Sequence, residues 1–94
     1  MLVRIVRMHF REEEVETFKE IFYDTRPHIL KFRGCASVEL YVDAGNPSVL
    51  YTHSTWDDEK FLDEYRASAF FKQTWQKVKR LFESSARAYS LKKP

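Results

Sequence analysis

Few of the 94 side chains are equipped for chemistry near neutral pH, and they are scattered along the chain. His53 sits in a β-rich run among Tyr51, Thr55 and Trp56. Its imidazole could take a proton from a substrate, or it could be one polar residue at a seam between subunits. Tyr65, Phe71, Trp75 and Phe82 recur at close to helical spacing, a pattern that suits core packing and the wall of a cavity alike. Two of these rings carry polar ends that need partners, and the Tyr65 hydroxyl is a second candidate for work on a developing charge. Arg4, Arg7 and Arg66 could each hold an anionic ligand oxygen, although most arginines are plain surface charges. His9 and His28 fall near element ends and read as solvated. The three histidines and the single Cys35 are too far apart for the close ligand spacing of a structural zinc site, so no metal is expected. Cys35 stands beside Gly34 with no histidine near it in sequence, and reads as a small core residue.

These residues depend for their placement on a regular alternation of elements. Leu2 to Phe10 alternates, with Leu2, Val6, Met8 and Phe10 on one face and Val3, Ile5, Arg7 and His9 on the other, and with Arg4 interrupting the first set. Both faces are half apolar, as in a strand covered on two sides. Glu12 to Tyr23 spaces Val15, Phe18, Ile21 and Phe22 as a helix, with Glu12, Glu13 and Glu14 in its first turn where the dipole favours them. Pro27 cannot continue a regular helix ladder but suits a first helical position, so a kinked extension or a short second segment is expected over Arg26 to Phe32, ending at Gly34. Cys35 to Asp43 and Val49 to Trp56 read as a hairpin around the turn formers Ala44 to Ser48. Asp57 and Asp58 cap a helix carrying Phe61, Leu62 and Tyr65. Ser68 caps another that carries Phe71, Trp75, Val78 and Phe82, and Ala86 to Leu91 is the last strand.

The order β-α-β-β-α-β is the split βαβ arrangement. It implies an α+β, ferredoxin-like fold: a four-stranded antiparallel sheet with its helices on one face, one domain over residues 1–94. The other sheet face is then left open and apolar, with Val3, Ile5, Tyr41 and Tyr51, and a homodimer that packs two sheets face to face would cover it. Aromatics at 16% are rich for so short a chain and agree with rings placed at an interface or a pocket. Sixteen Lys and Arg against fourteen Asp and Glu lack the basic excess of a nucleic-acid binder. No signal peptide or long apolar run is visible, so the expectation is a cytoplasmic protein that avoids membranes.

Three segments carry a family resemblance: Phe32-Arg33-Gly34-Cys35, Ser54-Thr55-Trp56-Asp57, and Tyr65-Arg66-Ala67-Ser68-Ala69-Phe70-Phe71. In this order and at these separations the chain resembles the antibiotic biosynthesis monooxygenases, a branch of the dimeric α/β-barrel proteins. The resemblance implies a homodimer and a cofactor-independent oxygenase of phenols or quinone precursors. It also leaves open a non-catalytic, ligand-binding or stress-associated module of the same fold. It further implies a pocket between helices and sheet, where a flat aromatic ligand would stack on Trp56, Tyr65 and Trp75; Val6, Arg66 and Phe71 complete the expected lining, and the residues themselves offer His53 and Tyr65 as candidate catalytic groups. Haem-degrading relatives carry an Asn, a Trp and an iron-binding His at positions that fall on or near Val6, Tyr65 and Trp75. All three differ, so no haem and no other cofactor is expected.

Overall fold

The computed structural model describes residues 1–94. Strand β1 (Leu2–Phe10) leads through a 3-10 turn at Glu12–Glu14 into α1 (Val15–Ile29), followed by the hairpin of β2 (Cys35–Val42) and β3 (Val49–Trp56). Helices α2 (Glu59–Ala67) and α3 (Ala69–Lys79) precede β4 (Phe82–Leu91). The strands form one antiparallel sheet in the order β2-β3-β1-β4. The fold is α+β and ferredoxin-like, a four-stranded antiparallel sheet with three helices.

Strand periodicity separates the two faces. Leu2, Met8 and Phe10 of β1, Val38 of β2, and Leu50 and Trp56 of β3 are buried against Val15, Phe18, Phe22 and Ile29 of α1, Leu62 of α2 and Val78 of α3. Rings dominate the contact: Phe10 stacks on Phe18 with centroids 4.3 Å apart, and Phe82 lies 5.3 Å from Phe10. The opposite face carries no helix, and there Ile5 lies between His53 and Tyr89 while Tyr41 faces Tyr51.

Capping sets the helix starts. The Asp58 side chain accepts from the Lys60 N–H at 3.0 Å and opens α2, and Ser68 Oγ accepts from the Phe71 N–H at 3.1 Å and opens α3. Two sequence expectations need correction. The chain does not break at Pro27, because α1 runs on to Ile29 and the proline falls in its last turn, so only two helical residues follow the bond that its missing N–H removes. Phe82 is not helical: α3 ends at Lys79, and β4 begins at Phe82 rather than Ala86. Its ring reaches Phe10 from the sheet and stands edge-on to Trp75 at 5.6 Å.

Gly34 turns the chain from α1 into β2 with φ 81°, and a Cβ built on it would clash with the Phe61 ring. Both the left-handed backbone and the close approach require glycine. Gly34→Ala is expected to cost about 2 kcal/mol or more and to lower the melting temperature by about 10 °C, read by circular dichroism. An unchanged melting temperature would mean that the turn relaxes freely.

Candidate functional site

The same geometry leaves a void between helices and sheet. Its floor is the inward face of the strands: Arg4, Val6 and Met8 of β1, Thr52, Ser54 and Trp56 of β3, and Ala86 and Ala88 of β4. The two alanines keep that edge of the floor low. The roof is Phe18, Ile21 and Phe22 of α1, Leu62, Tyr65 and Arg66 of α2, and Phe71, Thr74, Trp75 and Val78 of α3. The space amounts to about 370 Å³ with mostly apolar walls, near the lower end for small-molecule sites.

Tyr65 is the organising ring. It stacks on Trp56 at 5.3 Å and 27°, and meets Phe32 at 5.0 Å and Phe71 at 5.1 Å edge-on. Phe71 in turn lies parallel to Trp75 at 6.0 Å and 9°. Trp56, Tyr65, Phe71 and Trp75 line the void without filling it. Burial pushes the Tyr65 phenol well above its ordinary value of 10.0, with the Cys35 thiol adding in the same sense. A phenol is protonated at neutral pH even without this shift, and the Tyr65 hydroxyl is available there as a hydrogen-bond donor. No buried side-chain oxygen or nitrogen is both sealed and unpartnered.

The raised phenol value has a consequence for stability. The folded chain holds this proton more tightly than the unfolded one, so the contribution of Tyr65 is complete below pH 10 and lost as pH rises through the folded value. The urea midpoint is expected to fall between pH 9 and pH 11 by more in the wild type than in Tyr65→Phe. Equal losses in the two proteins would contradict this account of the buried phenol.

Among the residues expected to form the pocket, Val6, Trp56, Tyr65, Arg66, Phe71 and Trp75 stand around this one cavity. His53 does not join them. Thr52 and Ser54 point into the cavity, so the intervening His53 projects from the other face of β3, opposite Ile5 and Glu39, with its ring 6.3 Å from Tyr41. The expectation that His53 shares a pocket with Tyr65 and Trp75 is corrected by this alternation. Arg7 follows His53 to the open face, where it pairs with Tyr51 and Arg87. His9 lies 3.3 Å from Ser84 Oγ, and the His28 ring packs on Phe70 at 5.7 Å. No group of three His, Cys, Asp or Glu side chains converges anywhere in the structure. Burial raises the Cys35 thiol and leaves it a poor nucleophile, hydrogen-bonded to the Ser37 carbonyl at 3.8 Å.

Sequence reasoning passed over the hydroxyls of Thr52, Ser54 and Thr74, and the contribution of α1. The signal for the first two was parity with Trp56, since residues two and four before it on a strand share its face. Ser54 Oγ accepts the Trp56 indole N–H at 3.0 Å, which fixes that ring and leaves the serine proton free to donate.

A family model for antibiotic biosynthesis monooxygenase matches residues 1–77. Solved structures repeat the fold over the full length. A conserved protein from Methanosarcina mazei superposes with a TM-score of 0.93 at 23% identity, covering 100% of this chain and 94% of the other. An antibiotic biosynthesis monooxygenase gives 0.91 at 16%, covering 100% and 99%. A Mycobacterium tuberculosis protein gives 0.89 at 19%, covering 99% and 94%. At these identities the likeness speaks for the fold. No curated protein matches the chain.

Proposed function

The chain belongs to the antibiotic biosynthesis monooxygenase family, and we propose that it is a cofactor-independent monooxygenase of a small, electron-rich, phenol-like or quinone-like aromatic. The observation that carries this reading is the cavity of about 370 Å³ walled by Trp56, Phe71 and Trp75, with the protonated Tyr65 among them. Its parallel rings match a flat ligand, and its few polar groups are donors.

The reaction needs no external reductant. An ionised hydroxy-aromatic gives electrons to dioxygen directly. Where the substrate has a methylene flanked by the ring, that carbon loses two hydrogens and gains one oxygen as a carbonyl, and the second oxygen leaves as water. The protein binds and orients the ring, excludes bulk water, and donates a hydrogen bond from Tyr65 to the oxygen on which charge develops. No imidazole or carboxylate lines the cavity, so the substrate leaves its proton in solvent and enters ionised, and turnover rises with pH as the free phenol ionises.

The working form is a homodimer, each subunit one domain of residues 1–94. Its support is the open sheet face, where Tyr41, Tyr89 and Leu91 are 56%, 47% and 49% exposed beside the half-buried Val3, Ile5 and Tyr51. A soluble chain covers such a surface with a partner, and a second copy of the same face is self-complementary about a two-fold axis. His53 belongs to that seam. No helix is long and apolar enough to cross a membrane, in keeping with a cytoplasmic enzyme.

The reading is tested by titrating the protein with a panel of anthrones and hydroxynaphthoquinones, following Trp fluorescence without oxygen and then oxygen uptake in air. Saturable quenching followed by oxygen consumption supports it. Saturable quenching with no uptake across the panel overturns the oxygenase and leaves a ligand-binding module of the same fold.

A further inference from the structure

We infer that the ligand of this cavity carries an anionic oxygen group on its aromatic ring, held by Arg4 and Arg66; the inference rests on the cavity being a ligand site. Arg4 is the one break in the inward-facing set of β1, where Leu2, Val6, Met8 and Phe10 are otherwise apolar. β1 is an interior strand between β3 and β4, so this position looks into the helical layer rather than off a sheet edge. A guanidinium there violates the strand's own pattern, and such local violations mark function more often than stability.

Its surroundings are built for a guest. The residues paired with Arg4 on the two neighbouring strands are Ser54 and Ser90, small hydroxyls that leave room around the head group. Its one side-chain partner is neutral, Ser90 Oγ at 2.9 Å. Arg66 enters the same cavity from the last turn of α2. The three ion pairs of the chain are Arg11 with Glu14, Lys19 with Glu16 and Arg26 with Glu39, and neither cavity arginine is among them. The acid that bears on Arg4 is Asp63, whose favourable field is outranked by burial and by repulsion from Arg66, so the guanidinium is held below its ordinary value. Two cations that repel each other at one end of an apolar cavity are relieved by an anion between them.

The cationic end of the site is thus Arg4 and Arg66, with the Ser54 hydroxyl beside Arg4, and the rest is aromatic and aliphatic apart from the hydroxyls of Thr25, Thr52, Tyr65 and Thr74. A ring bearing a carboxylate or a phosphate would satisfy both ends at once, whereas a neutral phenol of the same size satisfies only the second.

The experiment compares hydroxynaphthoate, naphthyl phosphate and naphthol by anaerobic quenching of Trp fluorescence, in wild type, Arg4→Leu and Arg66→Gln. At least one anion should bind wild type about tenfold to hundredfold more tightly than naphthol, as for hydrogen bonds to charged groups. Each variant should lose most of that preference while binding naphthol as before. Arg4→Leu restores the apolar alternation of β1 and should fold at least as stably as wild type, which separates loss of a ligand contact from loss of structure. Equal affinities for all three probes in wild type, failure of all three to bind, or a preference that survives both substitutions would overturn the inference. Anion preference without oxygen uptake would sustain it while removing the oxygenase, and uptake with neutral substrates alone would do the reverse.

Discussion

Tyr65→Phe is expected to lower turnover by about tenfold to thousandfold, the range for one lost donor at a developing oxyanion. The dissociation constant of the aromatic ligand should change by no more than about twofold, because the ring and its stacking on Trp56 are retained. The effect is differential: the Tyr65 hydroxyl has little to bond in a flat ground state and much to bond once negative charge appears on oxygen. A matched loss in binding and turnover would instead make Tyr65 a packing residue. His53→Ala serves as the control. The imidazole projects from the opposite face of the sheet, so the pH dependence of turnover should be unmoved. A pH profile that lost a limb in His53→Ala would return the imidazole to the reaction.

The second large effect concerns assembly. Ile5 occupies the middle of the open face, between His53 of β3 and Tyr89 of β4. Placing a carboxylate there by Ile5→Asp puts two unpaired charges near the axis of a symmetric interface, since each substitution occurs twice. The cost of desolvating them should weaken the dimer by at least about a hundredfold in dissociation constant. Sedimentation velocity at micromolar concentration should show wild type as a dimer and the variant mainly as a monomer. If both sediment alike, the open face is not the seam.

Much of this architecture is legible in the residues, and the failures have identifiable causes. β1 and β2 could be assigned to faces because Val6, Met8 and Phe10, and likewise Val38 and Leu40, alternate cleanly with polar neighbours. The starts of α2 and α3 were legible because Asp58 and Ser68 are unambiguous caps. β3 was opaque for the opposite reason: Tyr51, Thr52, His53, Ser54 and Thr55 are all half-polar, so hydropathy cannot say which alternate set faces inward. Parity supplies what hydropathy lacks there, since His53 shares the face of Tyr51, and Thr52 and Ser54 share that of Trp56. Phe82 lies seven residues beyond Trp75, a helical interval, but Arg80 caps α3 and Leu81 turns the chain, so a ring that continues the helical stripe does so from a strand. Pro27 does not stop α1 because the helix ends two residues later, so little of it lies beyond the bond that the missing N–H removes. The arginines carry the reverse lesson: the interruption of β1 by Arg4 was visible in the sequence, and only the cavity beside it gives the interruption a purpose.

Direct reaction of an aromatic substrate with dioxygen in this cavity is tested by turnover of an anthrone under isotopically heavy oxygen gas, with chelator present and no flavin, nicotinamide or haem added, followed by mass spectrometry of the product. The expected result is one heavy oxygen atom in the new carbonyl, at a rate that falls in Tyr65→Phe. Product carrying only solvent oxygen, or formed equally fast by the variant, would contradict it.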